Sequence, residues 1–215
     1  MHSLPAPDGV TQDDVRRTTT GRWKMLLVML VCAAPLVASY FTFYVVRPEG
    51  KPKFGELIEP QRPLPAVSGT TPEGRSVGLP SLRGQWLLVT VAGGACDAAC
   101  ENHLYLQRQL REMLGKDKDR VDRVWLVNDA APIPAALQPA LAGATVLRVD
   151  SASLARWLVP GAGQPLAGHL YLVNPMGNLM MRFPAGLDRE GAARAKRDLE
   201  RLMRASASWD QAGRP

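Results

Sequence analysis

Two cysteines four residues apart, Cys96 and Cys100, are the residues of this sequence best suited to chemistry. A thiolate is the nucleophile of disulfide exchange and also a soft ligand for copper(I). The pair follows Gly93 and Gly94, which permit a tight turn and leave the thiols uncrowded. The sequence therefore predicts a redox-active or metal-binding thiol pair. The plainer alternative is two small apolar residues packed beneath a helix.

The segments on either side of the cysteines predict how the pair is positioned. Residues 86–92 form an apolar run typical of a buried strand, and residues 101–114 have the apolar spacing of a helix. The thiols therefore belong to a strand-to-helix turn. The unpaired N–H groups and the dipole at the start of a helix favour thiolate over thiol at such a turn.

A membrane anchor is predicted near the N-terminus. Met25 to Val46 is an uncharged run of 22 residues, long enough for a helix to cross a hydrocarbon core of about 30 Å. A cleaved signal peptide is the alternative, but this run is longer than the apolar region of an ordinary signal and residues 37–39 make a weak cleavage site. Residues 1–24 are polar and are predicted to form a disordered cytoplasmic tail.

The cysteines, more than the flanking charges, predict on which side of the membrane the rest of the chain lies. Basic residues both precede and follow the apolar run, so the positive-inside bias is slight. A reversible thiol pair is better suited to a compartment outside the reducing cytosol. We therefore expect a single-pass protein of the bacterial inner membrane, with its C-terminal domain in the periplasm.

Composition excludes several classes of function. The net charge is +6, but the basic residues are interleaved with acidic ones, as in residues 116–120, so nucleic acid is not an expected partner. The third cysteine, Cys32, lies in the apolar run, so the chain is not a disulfide scaffold. Phosphate-binding loops and protease motifs do not stand out.

The order of elements after the anchor predicts the fold. Residues 47–80 are rich in Pro and Gly and are expected to form an extended linker, with residues 71–75 as a turn that joins two short edge strands. The domain is expected to span residues 81–205, followed by a tail at 206–215. Its strands are predicted at 122–128, 145–149, 168–174 and 179–183, and its helices at 132–141, 151–158 and 188–205. This order is typical of an α/β thioredoxin-like sandwich.

The chain resembles the Sco/SenC branch of the thioredoxin-like superfamily. The resemblance lies in residues 82–89 (LRGQWLLV), in the CxxxC spacing of the cysteines, and in residues 171–177 (YLVNPMG). Members of this branch are membrane-anchored proteins that help deliver copper to the binuclear copper centre of cytochrome c oxidase. Residues 47–65 also resemble a poorly described group of anchored proteins that accompany oxidase assembly genes in some bacteria.

The resemblance implies a copper site formed by Cys96, Cys100 and a histidine. The family's histidine lies five residues before the aromatic residue that is Tyr171 here, and Leu166 occupies that position. His169 is the nearest candidate for the third ligand. His103 is the alternative, because it follows Cys100 by three residues and a helix would place both on one face. Each histidine could also be an ordinary buried residue.

Three functions remain open at the level of sequence. The first is an assembly factor for cytochrome c oxidase that binds copper or maintains copper-site thiols, with the oxidase or its assembly factors as partners. The second is an enzyme, a thiol–disulfide oxidoreductase in which Cys96 attacks and Cys100 resolves. The third is a thioredoxin-like scaffold with a degenerate site that docks a membrane partner.

Overall fold

The computed structural model describes residues 12–42, 44, 54–210 and 213. The chain divides into two compact units, residues 1–52 and 53–215. In the first unit, helix α1 spans Gln12–Phe41. Its segment Gly21–Phe41 is long and apolar enough to cross a membrane, with a mean hydropathy of 1.9. The structure thus has the single N-terminal apolar helix that the sequence predicts.

The predicted disordered tail differs in part from the structure. Residues 1–11 lie outside the described residues, but residues 12–24 are helical and belong to α1. Residues 12–20 contain neither Gly nor Pro, and extending a helix that an apolar segment has already nucleated costs little free energy. The end of the predicted span, at 45–46, also lies outside the described residues.

The second unit is built on one sheet of eight strands. The strands are β1 (Glu56–Pro63), β2 (Ser68–Thr70), β3 (Ser76–Gly78), β4 (Trp86–Ala92), β5 (Val121–Val127), β6 (Ala144–Arg148), β7 (Leu170–Val173) and β8 (Asn178–Phe183). Their order in the sheet is β1-β8-β7-β4-β5-β6-β2-β3. Strands β4, β5 and β6 are parallel, whereas β7, β8 and β1 pair antiparallel at one side.

Helices cover both faces of this sheet. They are α2 (Ala98–Met113), α3 (Gln138–Leu141), α4 (Ser151–Trp157) and α5 (Arg189–Ala205). Alternate residues of β4 point to opposite faces: Leu88 packs with residues of α2 and α5, and Val89 packs with residues of α4. The structure is therefore the α/β sandwich that the sequence predicts. Strand β4 lies in the middle of the sheet, and every one of its residues is buried there.

The predicted linker contributes three strands to this sheet. Strand β1 forms one edge, β2 and β3 the other, and Ile58, Leu64 and Leu79 are buried in the core. The prolines of this segment conceal β1 in the sequence, but an edge strand tolerates proline. Pro60 lies where the register between β1 and β8 shifts. The expected turn at 71–75 is confirmed, since β2 and β3 pair antiparallel across it.

The predicted C-terminal tail also packs against the domain in part. Trp209 stacks on the buried Trp86, with 6.2 Å between ring centroids. Asp210 accepts hydrogen bonds from the guanidinium of Arg120, which is largely buried beneath it. Removing a charge from water requires such a partner, and only the folded structure brings residues 120 and 210 together.

Candidate functional site

The two predicted thiols lie where β4 ends and α2 begins, and they form a disulfide. The Cα atoms of Cys96 and Cys100 are 5.1 Å apart. Cys96 has φ of 48°, a left-handed conformation uncommon for a residue with a side chain. Its N–H donates to the carbonyl of Gly93, which closes the turn. Both cysteines are buried, with 7% of Cys96 and 3% of Cys100 exposed.

The carboxylate of Asp129, in the loop that follows β5, holds the glycine turn in place. Gly94 donates its N–H to Asp129 Oδ1 at 2.7 Å. A Cβ on Gly93 would lie 2.4 Å from Asp129 Oδ2, and one on Gly94 would lie 2.1 Å from the carbonyl oxygen of Ala131. Arg148 donates to the carbonyls of Asp129 and Ala131, at 2.7 Å each. The two glycines are therefore needed for this close approach, which in turn fixes the position of Cys96.

Asp129 and Arg148 are functional candidates that the sequence analysis missed. The signal for Asp129 was its place directly after the predicted strand at 122–128, because β4 and β5 are parallel and their carboxyl ends meet at one edge of the sheet. Arg148 carries no comparable signal. Its role depends on β6 lying beside β5, which only the sheet order determines.

Helix α2 begins at Ala98, three residues earlier than its predicted start at 101. Asp97 is the N-cap, and its Oδ1 accepts the N–H of Cys100 at 2.9 Å. This hydrogen bond satisfies one of the unpaired N–H groups at the start of the helix. Cys100 therefore lies in the first turn of α2, and Cys96 directly precedes the cap.

A cavity of about 460 Å³ lies against the disulfide. One wall is formed by the cysteine turn and the first two turns of α2. The opposite wall contains Pro165, Ala167 and Gly168, which precede β7. Small apolar side chains predominate in this lining, and Asp97 is the one carboxylate among the described lining residues. The cavity leaves room for a polypeptide segment or a small ligand next to the sulfurs.

His103 lines the same cavity as the two cysteines. It is 5% exposed, and its Nδ1 has no hydrogen-bond partner among the described residues. Burial lowers the pKa of His103 below its ordinary value. A hydrogen bond with the backbone of Ala167 and the charge of Asp97 oppose it. The neutral ring therefore offers an unused nitrogen beside the thiol pair.

His169 is equally buried, but both of its ring nitrogens are engaged. Nδ1 lies 2.9 Å from the carbonyl oxygen of Phe183, to which it can only donate, and Nε2 accepts the N–H of Gly161 at 2.9 Å. These contacts define the tautomer with hydrogen on Nδ1. His169 lines a different cavity from the cysteines. Its role as third ligand stays a prediction, and one that requires the Gly161 hydrogen bond to break.

The donor atoms at the thiol cavity depend on the oxidation state of the cysteine pair. Within the described residues, no three His, Cys, Asp or Glu side chains are grouped so as to hold a metal ion. In the disulfide, each sulfur is bonded to the other and neither is a thiolate ligand. Reduction would release two soft ligands beside the unpaired nitrogen of His103, a donor set suited to copper(I). As a disulfide, the pair offers no copper site among the described residues.

Comparison with known proteins places the chain in a family. Residues 86–206 match the family described as "Transmembrane-like, thioredoxin-like, C-terminal domain". This match covers more than half of the sequence, so the chain belongs to that family. No curated protein matches the chain.

Solved structures similar to this chain include Sco1/SenC proteins and thioredoxin-like oxidoreductases. Yeast Sco1 with copper bound has a TM-score of 0.52 and 14% identity, over 74% of this chain and 99% of that one. A SCO1/SenC family lipoprotein from Bacillus anthracis has a TM-score of 0.51 and 17% identity, over 67% and 98%. A thiol:disulfide interchange protein from Bacteroides sp. has a TM-score of 0.49 and 16% identity, over 69% and 92%. The first two confirm the thioredoxin-like fold that the sequence predicts.

Proposed function

We propose that this chain is a membrane-anchored assembly factor for cytochrome c oxidase, whose Cys96–Cys100 pair maintains the thiols of a copper site by dithiol–disulfide exchange. The observation that carries the proposal is the disulfide itself, which lies at a strand-to-helix turn against a cavity able to admit a partner's segment. The sequence resemblance to the Sco/SenC branch supports the choice of the oxidase as partner. We place the domain in the periplasm, where a disulfide can persist.

The proposed exchange starts from the reduced pair. The thiolate of Cys96, the more exposed of the two cysteines, attacks one sulfur of the partner's disulfide, and the other partner sulfur leaves as a thiolate. Cys100 then loses its proton and attacks Cys96 Sγ. This second attack breaks the mixed disulfide and releases the partner as a dithiol. Two electrons pass to the partner, and the Cys96–Cys100 disulfide seen in the structure is the product.

The exchange can be measured with the full chain in detergent or nanodiscs and with a peptide that carries an oxidised cysteine pair. We expect Cys96→Ser to lower the rate of peptide reduction by at least 100-fold. Cys32→Ser, the matched control, should leave the rate unchanged because Cys32 is not part of the disulfide. A Cys96→Ser, Cys100→Ser double variant that supports full oxidase assembly in a deletion strain would contradict the proposal and favour a scaffold role.

Copper(I) binding by the reduced pair is the second candidate function, and the unpaired Nδ1 of His103 favours it. In this case Cys96, Cys100 and His103 would hold copper(I). The ion could then be transferred to the thiolates of another copper site, because copper(I) is a soft ion that prefers such ligands. Competition with a chromogenic copper(I) chelator measures the affinity. We expect His103→Ala to weaken binding at least tenfold, and His169→Gln to weaken it by less than threefold. The reverse order would restore His169 as the third ligand.

A further inference from the structure

A stripe of exposed arginines runs along α5. Its members follow one another at intervals of three or four residues and therefore lie on one side of the helix: Arg194, Arg197, Arg201 and Arg204. The opposite side of α5 is buried against the sheet through Ala192, Ala195 and Leu199. The arginines are thus held on a rigid element of the domain and face solvent.

The acidic residues of α5 neutralise only part of this stripe. Glu190 pairs with Arg194, and Glu200 pairs with Lys196 rather than with an arginine of the stripe. Asp198 lies 3.4 Å from Arg201, but its other oxygen already accepts two backbone N–H groups. The Glu190–Arg194 pair is exposed on both sides, and such pairs are weak and exchange readily for a better anion. The stripe therefore keeps a net positive charge.

The chain that comes from the membrane anchor is attached to this same helix. Asp198 Oδ2 accepts the N–H of Phe54 at 2.7 Å and that of Gly55 at 3.0 Å. The guanidinium of Arg194 lies 5.7 Å from the centroid of the Phe54 ring. Twelve residues, 42–53, lie between the last residue of α1 and Phe54. Even a fully extended segment of that length reaches only about 43 Å.

We propose that the arginine stripe of α5 docks on anionic phospholipid headgroups of the membrane that holds α1. Guanidinium groups bind phosphate oxygens in a bidentate manner, and a short tether raises the effective concentration of the headgroups at the stripe. Basic side chains next to a membrane segment are attracted to anionic lipid surfaces in this way. The proposal rests on the anchor and is independent of the thiol chemistry.

Docking through α5 would also orient the thiol cavity. Gly186 lines that cavity and precedes α5 by three residues, and Asn102 of α2 donates to the carbonyl of Leu187 at 3.4 Å. Because α5 is part of the rigid core, fixing its arginines at the headgroups would fix the cavity mouth as well. A partner embedded in the same membrane would then meet the cysteines in a constant orientation.

Arginine footprinting of the full chain tests this proposal. The protein is reconstituted in nanodiscs of phosphatidylcholine, or of phosphatidylcholine with one third phosphatidylglycerol, and labelled with phenylglyoxal. We expect labelling of the stripe to be at least fivefold slower in the anionic nanodiscs, and this protection to disappear in about 0.5 M salt. Arg75, Arg108 and Arg156, which are exposed but lie off α5, are internal controls and should react equally in both.

Equal labelling of the stripe in the two nanodiscs would overturn the proposal, as would equal protection at the control arginines. Protection that requires other membrane proteins and ignores lipid charge would instead identify an acidic protein surface as the occupant. A Cys96→Ser, Cys100→Ser variant should retain the lipid-dependent protection. If the unsubstituted chain fails to reduce the peptide but keeps the lipid-dependent protection, the thiol proposal fails and the docking proposal stands.

Discussion

Two loops that bound or flank the thiol cavity are each held by a side chain from elsewhere in the fold, but in different ways. At the cysteine turn, Gly94 donates its N–H to Asp129, an exposed carboxylate. In the loop 159–168, Gly161 donates its N–H to His169, which is 3% exposed and also bonded to the Phe183 carbonyl. Each side chain accepts the N–H of one glycine of its loop, yet the surroundings of the two contacts differ.

The difference indicates which loop can move. The carboxylate of Asp129 is exposed and can be solvated when the cysteine turn opens, so breaking its contact with Gly94 should cost less free energy than breaking a fully buried contact. No water reaches the Phe183 carbonyl, so displacing His169 leaves a buried polar group unpaired. We therefore expect the cysteine turn to be the more adaptable wall, as the proposed alternation between dithiol and disulfide requires. The opposite wall is the fixed one.

The largest effect is expected from removing the buried contact. His169→Ala leaves both the Phe183 carbonyl and the Gly161 N–H without a partner, and the free energy of unfolding should fall by about 3 kcal/mol. Urea unfolding followed by the fluorescence of the buried tryptophans measures this change. Asp129→Ala is the matched variant at the other loop. An equal loss in both would contradict the distinction between the two loops.

A smaller effect is expected from crowding the cysteine turn. In Gly94→Ala the new Cβ would lie 2.1 Å from the backbone oxygen of Ala131, which cannot rotate away, and stability should fall by about 2 kcal/mol. Gly78→Ala meets nothing closer than 3.8 Å and should change stability by less than about 0.5 kcal/mol. The same urea titration applies, and a neutral Gly94→Ala would show that the turn is looser than described.

The carboxylate itself should have a modest effect. Asp129→Ala removes the acceptor of the Gly94 N–H and should lower the free energy of unfolding by about 1 kcal/mol. It should also speed reduction of the disulfide by dithiothreitol several-fold, because the turn is released. Asp129→Asn keeps an acceptor oxygen and should remain close to wild type in both assays. If Asn and Ala behave alike, charge rather than the hydrogen bond holds the turn.

The smallest effect concerns pH. Burial lowers the pKa of His103 in the folded state below its ordinary value of 6.5, so the unfolded chain binds this proton more tightly. The resulting contribution to stability is fully present above pH 6.5. It is lost progressively as the pH falls from there through the lower pKa of the folded state. Between pH 5 and 8, the free energy of unfolding should change less with pH in His103→Gln than in the wild type. The same pH dependence in both proteins would indicate that His103 is exposed to solvent.

Local pattern accounts for much of what could be predicted. Strand β4 matches its predicted range of 86–92, and β5, β6 and α5 begin within one residue of their predicted starts. Apolar runs and helical spacing act within a few residues of the chain. Strand β1 was missed because its prolines are typical of a linker, and only pairing with β8 makes it a strand. An edge position cannot be recognised from a single segment.

The sequence by itself determined the N-terminal apolar helix, the elements from β4 onward and the thiol pair at its strand-to-helix turn, because each depends on residues close together in the chain. Only the tertiary structure distinguished the two histidines. His103 and His169 are both buried, but their hydrogen-bond partners come from loops and strands brought together by the sheet order β8-β7-β4. Whether a ring nitrogen is free for chemistry depends on those distant backbone groups, which no local pattern encodes.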